Sequence, residues 1–208
     1  MFIEKLSKNF DTNEPIFTEE ILSLFNEYSR DQVFRYIDKA KNNMELIQFT
    51  KGVYYIPTIT FWGDLSMITT DSVIEKKYLR NSNQVYGVYS GIKLFNLFSV
   101  TTQMGATIEI VTNNETTRCR HIDINGRKFI LRKSRCKITK KNYAAYTILQ
   151  LFNDFDDQDK LDDHSYKSII EYINNYKVEK EKLLELSMQF PARAIKKLIG
   201  SGILNKIV

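Results

Sequence analysis

SRDQVFRYIDKAKNNMELIQFTKGVYYIP, residues 29–57, decides the fold of the N-terminal part of the chain. Ser29 and Gln32 stand at capping-box spacing, Ser-x-x-Gln, at the head of a helix. Val33, Phe34, Ile37, Ala40 and Met44 recur with the helical period and form its apolar face. The opposite face presents Gln32, Arg35, Lys39 and Asn42, together with Asp31 and Asp38, and has Tyr36 at its edge. Leu46 to Phe49 and Val53 to Ile56 read as two short strands around Thr50-Lys51-Gly52, a hairpin with glycine in its turn. Pro57 closes the unit.

Working outward toward the N-terminus, Phe2, Ile3, Leu6 and Phe10 lie at helical spacing, and Pro15 interrupts. Thr18 is placed to cap a second helix, with Glu19 and Glu20 favoured in its first turn by the helix dipole. Ile21, Leu22, Leu24 and Phe25 form the apolar face of that helix. Three short helices followed by a hairpin is the winged helix-turn-helix order, in which the third helix enters the major groove and the hairpin touches the backbone. Ser29, Gln32, Arg35, Tyr36, Lys39, Asn42 and Lys51 are therefore candidate DNA-contacting residues. Arg to guanine and Gln to adenine are the usual bidentate pairs, while Tyr36 and Lys51 are placed for phosphates.

Working outward the other way, residues 58–69 read as a partly buried connector, because Ile59, Phe61, Trp62 and Leu65 are apolar. Asp71 is placed to cap a helix reaching about Arg80. An extended run follows at Val85 to Gly91, then a short helix from Ile92 to Phe98 and a strand from Thr107 to Thr112. Residues 118–124 and 127–133 form a hairpin around Asn125-Gly126, the strongest short turn signal in the chain. Helices are expected at about 140–153, 165–176 and 179–199. The fold class is α+β: a winged helix-turn-helix over residues 1–57, then a mixed α/β domain over 58–208 with a small sheet and C-terminal helices. There is no internal repeat and no low-complexity tract.

With 208 residues, 43% of them hydrophobic and 26% charged, the chain has enough apolar material for a packed core and is not of disordered composition. No apolar run is long enough to span a bilayer, and Met1-Phe2-Ile3-Glu4-Lys5 lacks a signal-peptide shape. Cys119 and Cys136 make no disulfide framework, so the composition fits a reducing cytoplasm. The net charge of +5 is concentrated. Residues 118–141 hold ten basic side chains against Asp123 alone: Arg118, Arg120, Arg127, Lys128, Arg132, Lys133, Arg135, Lys137, Lys140 and Lys141. The other segments are each slightly acidic, residues 1–57 included, at seven basic against nine acidic. A block of this kind either attracts phosphate or forms a solvated strand face, with Phe129 and Leu131 pointing inward. Its partner could be the same DNA, a second operator half, RNA or an acidic protein. Arg193, Lys196 and Lys197 form a smaller basic face on the last helix.

Motifs for catalysis and metal binding are missing. Asp154-x-Asp156-x-Gln158 begins like a calcium loop, but Asp159 replaces its glycine and Ser165 its final glutamate. Gly200-Ser201-Gly202 has no following lysine and no preceding strand, so it is not a phosphate loop. Glu109-Ile110-Val111 and Asp123-Ile124-Asn125 lack the lysine of a restriction-type nuclease. Neither His121 nor His164 has a triad partner. His121 reads as structural or phosphate-facing. No catalytic residue, metal or cofactor is expected.

Several stretches in order carry a resemblance. They are Ile16-Phe17-Thr18, Gly52-Val53-Tyr54-Tyr55-Ile56-Pro57, Tyr89-Ser90-Gly91, Asn96-Leu97, Thr101-Thr102-Gln103 and Val111-Thr112-Asn113. Together they resemble the abortive-infection antitoxin family AbiEi of bacterial type IV toxin–antitoxin systems, over about residues 10–150. The family often has Gly after Asn-Leu and Pro after Gln, where this chain has Phe98-Ser99 and Met104. The resemblance implies a cytoplasmic DNA-binding antitoxin active in phage defence. Its winged helix would bind double-stranded operator DNA at inverted repeats and autoregulate its own operon as a repressor. Its C-terminal domain would counteract a nucleotidyltransferase-like toxin functionally rather than in a stable complex. Ser90, Gly91, Asn96, Thr101, Thr102 and Gln103 are then either a turn and cap set or direct ligand contacts. An alternative is a protein-interaction module whose 118–141 surface docks an acidic partner such as the toxin.

Overall fold

A three-stranded sheet and a four-stranded sheet, each with its own helices, make this an α+β protein. The structure, a computed structural model, describes residues 2–156 and 161–207. The acidic stretch at 154–163 passes through residues 157–160, which lie outside the described residues, and so do Gln158 and Asp159 of the calcium-loop comparison. The chain divides into two units, Met1–Lys76 and Lys77–Val208.

In the first unit the order is α1 (Phe2–Ser7), β1 (Ile16–Phe17), α2 (Thr18–Leu24), α3 (Arg30–Asn42), β2 (Ile47–Thr50) and β3 (Val53–Tyr55). The strands form one antiparallel sheet in the order β1-β3-β2. Leu6, Ile16, Ile21, Val33, Ile37 and Leu46 are fully or almost fully buried and form the core. Thr18 does not cap α2. Phe17 takes the cap position, and its N–H donates to Glu20 Oε2 at 2.8 Å. Thr18 instead ties the sheet together, its N–H donating to the Gly52 carbonyl at 3.0 Å. Met44 is not in the apolar face. The helix ends at Asn42, Met44 turns left-handed at φ 59, and Leu46 takes the buried place.

The first unit runs beyond Pro57 to Lys76 for physical reasons. Ile68 and Val73 pack with Val53 and Tyr55. The Tyr55 hydroxyl donates to the Ser66 carbonyl at 3.0 Å. The nearly buried Lys76 ammonium pairs with Glu14 at 2.8 Å and Glu20 at 3.0 Å. The connector is partly buried, but through Ile68 and not through Ile59, Phe61, Trp62 and Leu65, which are exposed. Ile59 and Leu65 bridge as in a tiny hairpin, which holds Phe61 (95% exposed) and Trp62 (84% exposed) out in solvent. Helix α4 (Thr70–Ile74) is capped by Thr69 rather than Asp71, because the Thr69 hydroxyl accepts the Ser72 N–H at 3.1 Å. It continues as a π-helical turn, Glu75–Leu79.

In the second unit, β4 (Gly87–Ser90), β5 (Thr107–Thr112), β6 (Arg120–Ile124) and β7 (Arg127–Lys133) form a sheet in the order β4-β5-β7-β6. The β5–β7 pair is parallel and the others antiparallel. Asn125 and Gly126 both have positive φ, 52° and 80°, the conformation the Asn-Gly turn requires. Helix α5 (Gly91–Leu97) follows β4 directly. Helix α6 (Tyr143–Asp154) is buried on almost every side, and its Leu149, Leu151 and Phe152 are at the centre of the core. Each such side chain contributes about 1.5–3 kcal/mol. Helix α7 (Asp163–Asn175) is capped by Asp162, which accepts the Ser165 N–H at 2.7 Å. The single helix expected over 179–199 is two, α8 (Lys180–Ser187) and α9 (Ala192–Gly200). Pro191 breaks it, because proline lacks the N–H and disfavours helical backbone at Phe190.

Candidate functional site

In the first unit, α3 carries the candidate reading face. The Ser29 hydroxyl accepts the Gln32 N–H at 3.3 Å and so caps the helix. The Gln32 carboxamide does not return to Ser29 but donates to the Tyr36 hydroxyl at 3.4 Å. The Tyr36 ring is anchored against Phe2 and Tyr28, with centroids 5.7 and 5.5 Å away. Val33, Ile37 and Ala40 are buried, which leaves Gln32, Arg35, Lys39 and Asn42 exposed across an arc of roughly 80°. Lys51 is exposed in the β2–β3 turn. Among the described residues, the side chains of Arg35, Lys39 and Lys51 have no hydrogen-bond or ion-pair partner. Asp38, on the same helix, is turned to Lys41 at 3.5 Å.

In the second unit, all ten basic residues of 118–141 are exposed, but they do not share one face. Arg120 pairs with Leu131 in the ladder, on the sheet face of Phe129 and Leu131. It donates to Glu115 at 2.7 Å. Glu115 is buried, which alone would raise its pKa. The Thr117 N–H and hydroxyl and the Arg120 guanidinium outweigh burial and hold its carboxyl below the ordinary range. Arg127 and Lys128 flank the hairpin turn, beside Asp123, which accepts the Gly126 N–H at 2.8 Å. Lys137, Lys140 and Lys141 follow the sheet, and Lys140 donates to the Ser82 carbonyl at 3.2 Å. His121 is exposed on β6.

The other four, Arg118, Arg132, Lys133 and Arg135, line one cavity of about 540 Å³, and Arg193 of α9 joins them. The floor is built from the start of α5, from β5 and from α6. Asp154 Oδ2 accepts the Ser90 hydroxyl at 2.6 Å and the Gly91 N–H at 2.9 Å. Its Oδ1 accepts the Gln150 carboxamide at 2.7 Å and the Asn153 carboxamide at 3.1 Å. Glu109 Oε2 accepts both Arg132 Nε and a terminal nitrogen, at 3.2 and 3.0 Å. Gly91 has φ +60, and a Cβ there would stand 3.1 Å from Glu109 Oε1. Arg135 donates to Asn153 Oδ1 at 3.3 Å and Arg193 to the Asn153 carbonyl at 3.4 Å. Behind Arg135, its backbone N–H donates to the Tyr146 hydroxyl at 3.0 Å. Burial pushes that phenol up to about 12.

Of Ser90, Gly91, Asn96, Thr101, Thr102 and Gln103, Gly91 alone lines this cavity, and Ser90 is buried behind it, bonded to Asp154. Asn96, Thr101 and Gln103 close the loop after α5 instead. The Asn96 carboxamide donates to the Gln103 carbonyl at 3.0 Å, and the Gln103 N–H to the Thr101 hydroxyl at 3.2 Å, with Thr102 exposed between them. Glu109, Gln150, Asn153 and Asp154 enter a site that sequence reasoning did not assign to them. The Gln150–Asp154 spacing of one helical turn was the available signal. Among the described residues, no group of three or more His, Cys, Asp and Glu is placed to hold a metal. No helix among them is long and apolar enough to cross a membrane. No protein-family model matches the chain, and no curated protein matches it.

Proposed function

We propose that this chain is a DNA-binding antitoxin of type IV, with a winged helix-turn-helix in Met1–Lys76 that reads double-stranded operator DNA at inverted repeats and represses its own operon. The observation that carries the DNA reading is the solvent face of α3, where Gln32, Arg35, Lys39 and Asn42 are exposed and the two cations are unpartnered. The element order and the strand order β1-β3-β2 support it, since a third helix followed by a hairpin is how winged helices present base-reading side chains. Lys51 at the hairpin turn is the phosphate contact. The antitoxin role rests on the resemblance carried by Tyr89-Ser90-Gly91, Asn96-Leu97 and Thr101-Thr102-Gln103. The second unit then opposes a nucleotidyltransferase-like toxin without a lasting complex.

The test is binding to the promoter DNA of the chain's own operon, measured against salt. Arg35→Ala with Lys39→Ala weakens binding about 10- to 100-fold, from the roughly 1–3 kcal/mol of a bidentate base contact. Lys51→Ala lowers the salt slope by about one without changing sequence preference. Wild-type affinity in the α3 double variant would remove α3 as the reading element.

A further inference from the structure

We infer that the basic cavity of the second unit binds a phosphate monoester carried on a hydroxyl-rich group, such as a sugar phosphate or the ribose phosphate of a nucleotide. The site is built within Lys77–Val208 alone and stands apart from the DNA reading. Among the described residues, five cations line it, Arg118, Arg132, Lys133, Arg135 and Arg193, against the three carboxylates of Glu109, Asp154 and Asp156. The excess of two positive charges matches the −1.5 to −2 of a phosphate monoester near pH 7 rather than the single charge of a diester. Three of the guanidinium groups are already oriented. Glu109 holds Arg132, and Asn153 holds Arg135 and Arg193. Arginine presents a planar fork that matches phosphate oxygens, and fixing it beforehand lowers the entropy lost on binding. Arg118 and Lys133 have no partner among the described residues and are left to close on the anion.

The carrier is read from the walls. A volume of about 540 Å³ is in the range of small-molecule sites. No aromatic ring is among the described lining residues, so the carried group is not recognised by stacking. Asp154 is saturated by four donors, but Glu109 Oε1 faces Gly91 with no donor among the described residues. A free carboxylate oxygen beside a phosphate cluster suits the hydroxyls of a sugar. The same chemistry is offered by a free sugar phosphate or nucleotide and by the 5′-phosphorylated end of an RNA strand.

The experiment is calorimetric titration of the full chain with ribose 5-phosphate, AMP and adenosine, and with one oligoribonucleotide bearing either a 5′-phosphate or a 5′-hydroxyl. The phosphorylated members bind and their unphosphorylated partners do not. Binding of ribose 5-phosphate or AMP identifies a free ligand, and binding of the 5′-phosphorylated strand alone identifies a strand end. Arg118→Gln and Arg193→Gln each weaken binding at least tenfold, while Lys128→Gln, in the same basic stretch but outside the cavity, leaves it unchanged. Arg118 bonds to no described residue, so its variant tests the site without disturbing the fold. Equal binding of phosphorylated and unphosphorylated probes, binding of neither, or equal weakening by Lys128→Gln overturns the inference.

Discussion

Asp154 holds the cavity floor together, and its replacement gives the sharpest test of that structure. Four donors converge on it: the Ser90 hydroxyl at 2.6 Å, the Gly91 N–H at 2.9 Å, Gln150 at 2.7 Å and Asn153 at 3.1 Å. Hydrogen bonds to a charged group contribute roughly 1.5–3 kcal/mol each, and a buried donor left unmade costs a similar amount. The cavity admits water, which re-partners the more open donors and keeps each value at the low end. Ser90 and Gln150 are 2% and 4% exposed and are the donors that water serves worst. Asp154→Ala therefore costs about 3–4 kcal/mol, and Ser90→Ala about 1.5–2 kcal/mol. Because the two share one bond, the double variant loses about 1.5 kcal/mol less than the sum. Urea unfolding followed by circular dichroism measures all three. At a slope of about 2 kcal/mol/M, Asp154→Ala lowers the midpoint by roughly 2 M. Asp154→Asn is intermediate, since its carboxamide keeps one acceptor and turns an NH₂ toward two existing donors. If the Ser90 and Asp154 effects add to within about 0.5 kcal/mol, the residues are not coupled and the floor is not built as described.

Two further outcomes are expected. Gly87→Ala would place a Cβ 2.0 Å from the Tyr78 carbonyl oxygen and 3.0 Å from that of Val111. Both are backbone atoms, and the neighbouring Tyr86 N–H is bonded to the Leu79 carbonyl at 2.8 Å, so the cost is about 3 kcal/mol. Calorimetry should show Tm falling by roughly 6–12 °C. Burial raises the phenols of Tyr146 and Tyr172 from about 10 to about 12. A raised folded-state pKa gives stability that is complete below the unfolded value, so stability falls as pH climbs from about 10 toward 12. Tyr146→Phe should flatten that loss in alkaline melts, and phenolate absorbance should show Tyr146 and Tyr172 ionising late, with Tyr143, which burial and its hydrogen bond to Tyr176 raise further, later still.

The sequence made the α3 and hairpin reading accessible because periodicity and glycine placement are local. Val33, Ile37 and Ala40 are inside and Gln32, Arg35 and Lys39 outside, as the 3.6-residue repeat requires. The Asn125-Gly126 turn followed from the same kind of local rule. Capping was less readable, since Thr18 and Asp71 each had a competitor one or two residues upstream. In both cases the backbone geometry of the preceding residue decided the cap. Phe61 and Trp62 misled for a different reason: apolar character predicts burial only on average, and a short loop can hold its tip away from any core. The cavity was least legible. Its carboxylates lie on β5 and at the end of α6, and the parallel β5–β7 pairing that brings Glu109 beside Arg132 is a long-range fact with no local signature.

The charge distribution gives the two units different work. Met1–Lys76 holds eight basic and twelve acidic side chains, and Lys77–Val208 holds twenty-two and thirteen. An acidic unit gains little from long-range attraction to a polyanion, so in the proposed DNA reading the contact comes from what remains after internal pairing. Lys5 is bound to Glu27, Lys41 to Asp38, and Lys76 to Glu14 and Glu20. These pairs neutralise part of the acidity and spend cations away from the outer face of α3. Arg35, Lys39 and Lys51 are left unpaired. In the proposed reading that arrangement favours discrimination over affinity, because few phosphate contacts mean weak non-specific binding while base contacts keep their full difference between sites. The second unit is the reverse, with its cations exposed and several of them gathered around one concave site. A promoter-binding assay on the full chain should therefore show a shallow salt dependence if only α3 and the hairpin touch DNA. A steep one, of many counterions, would mean that the basic stretch at 118–141 lies on the nucleic acid as well.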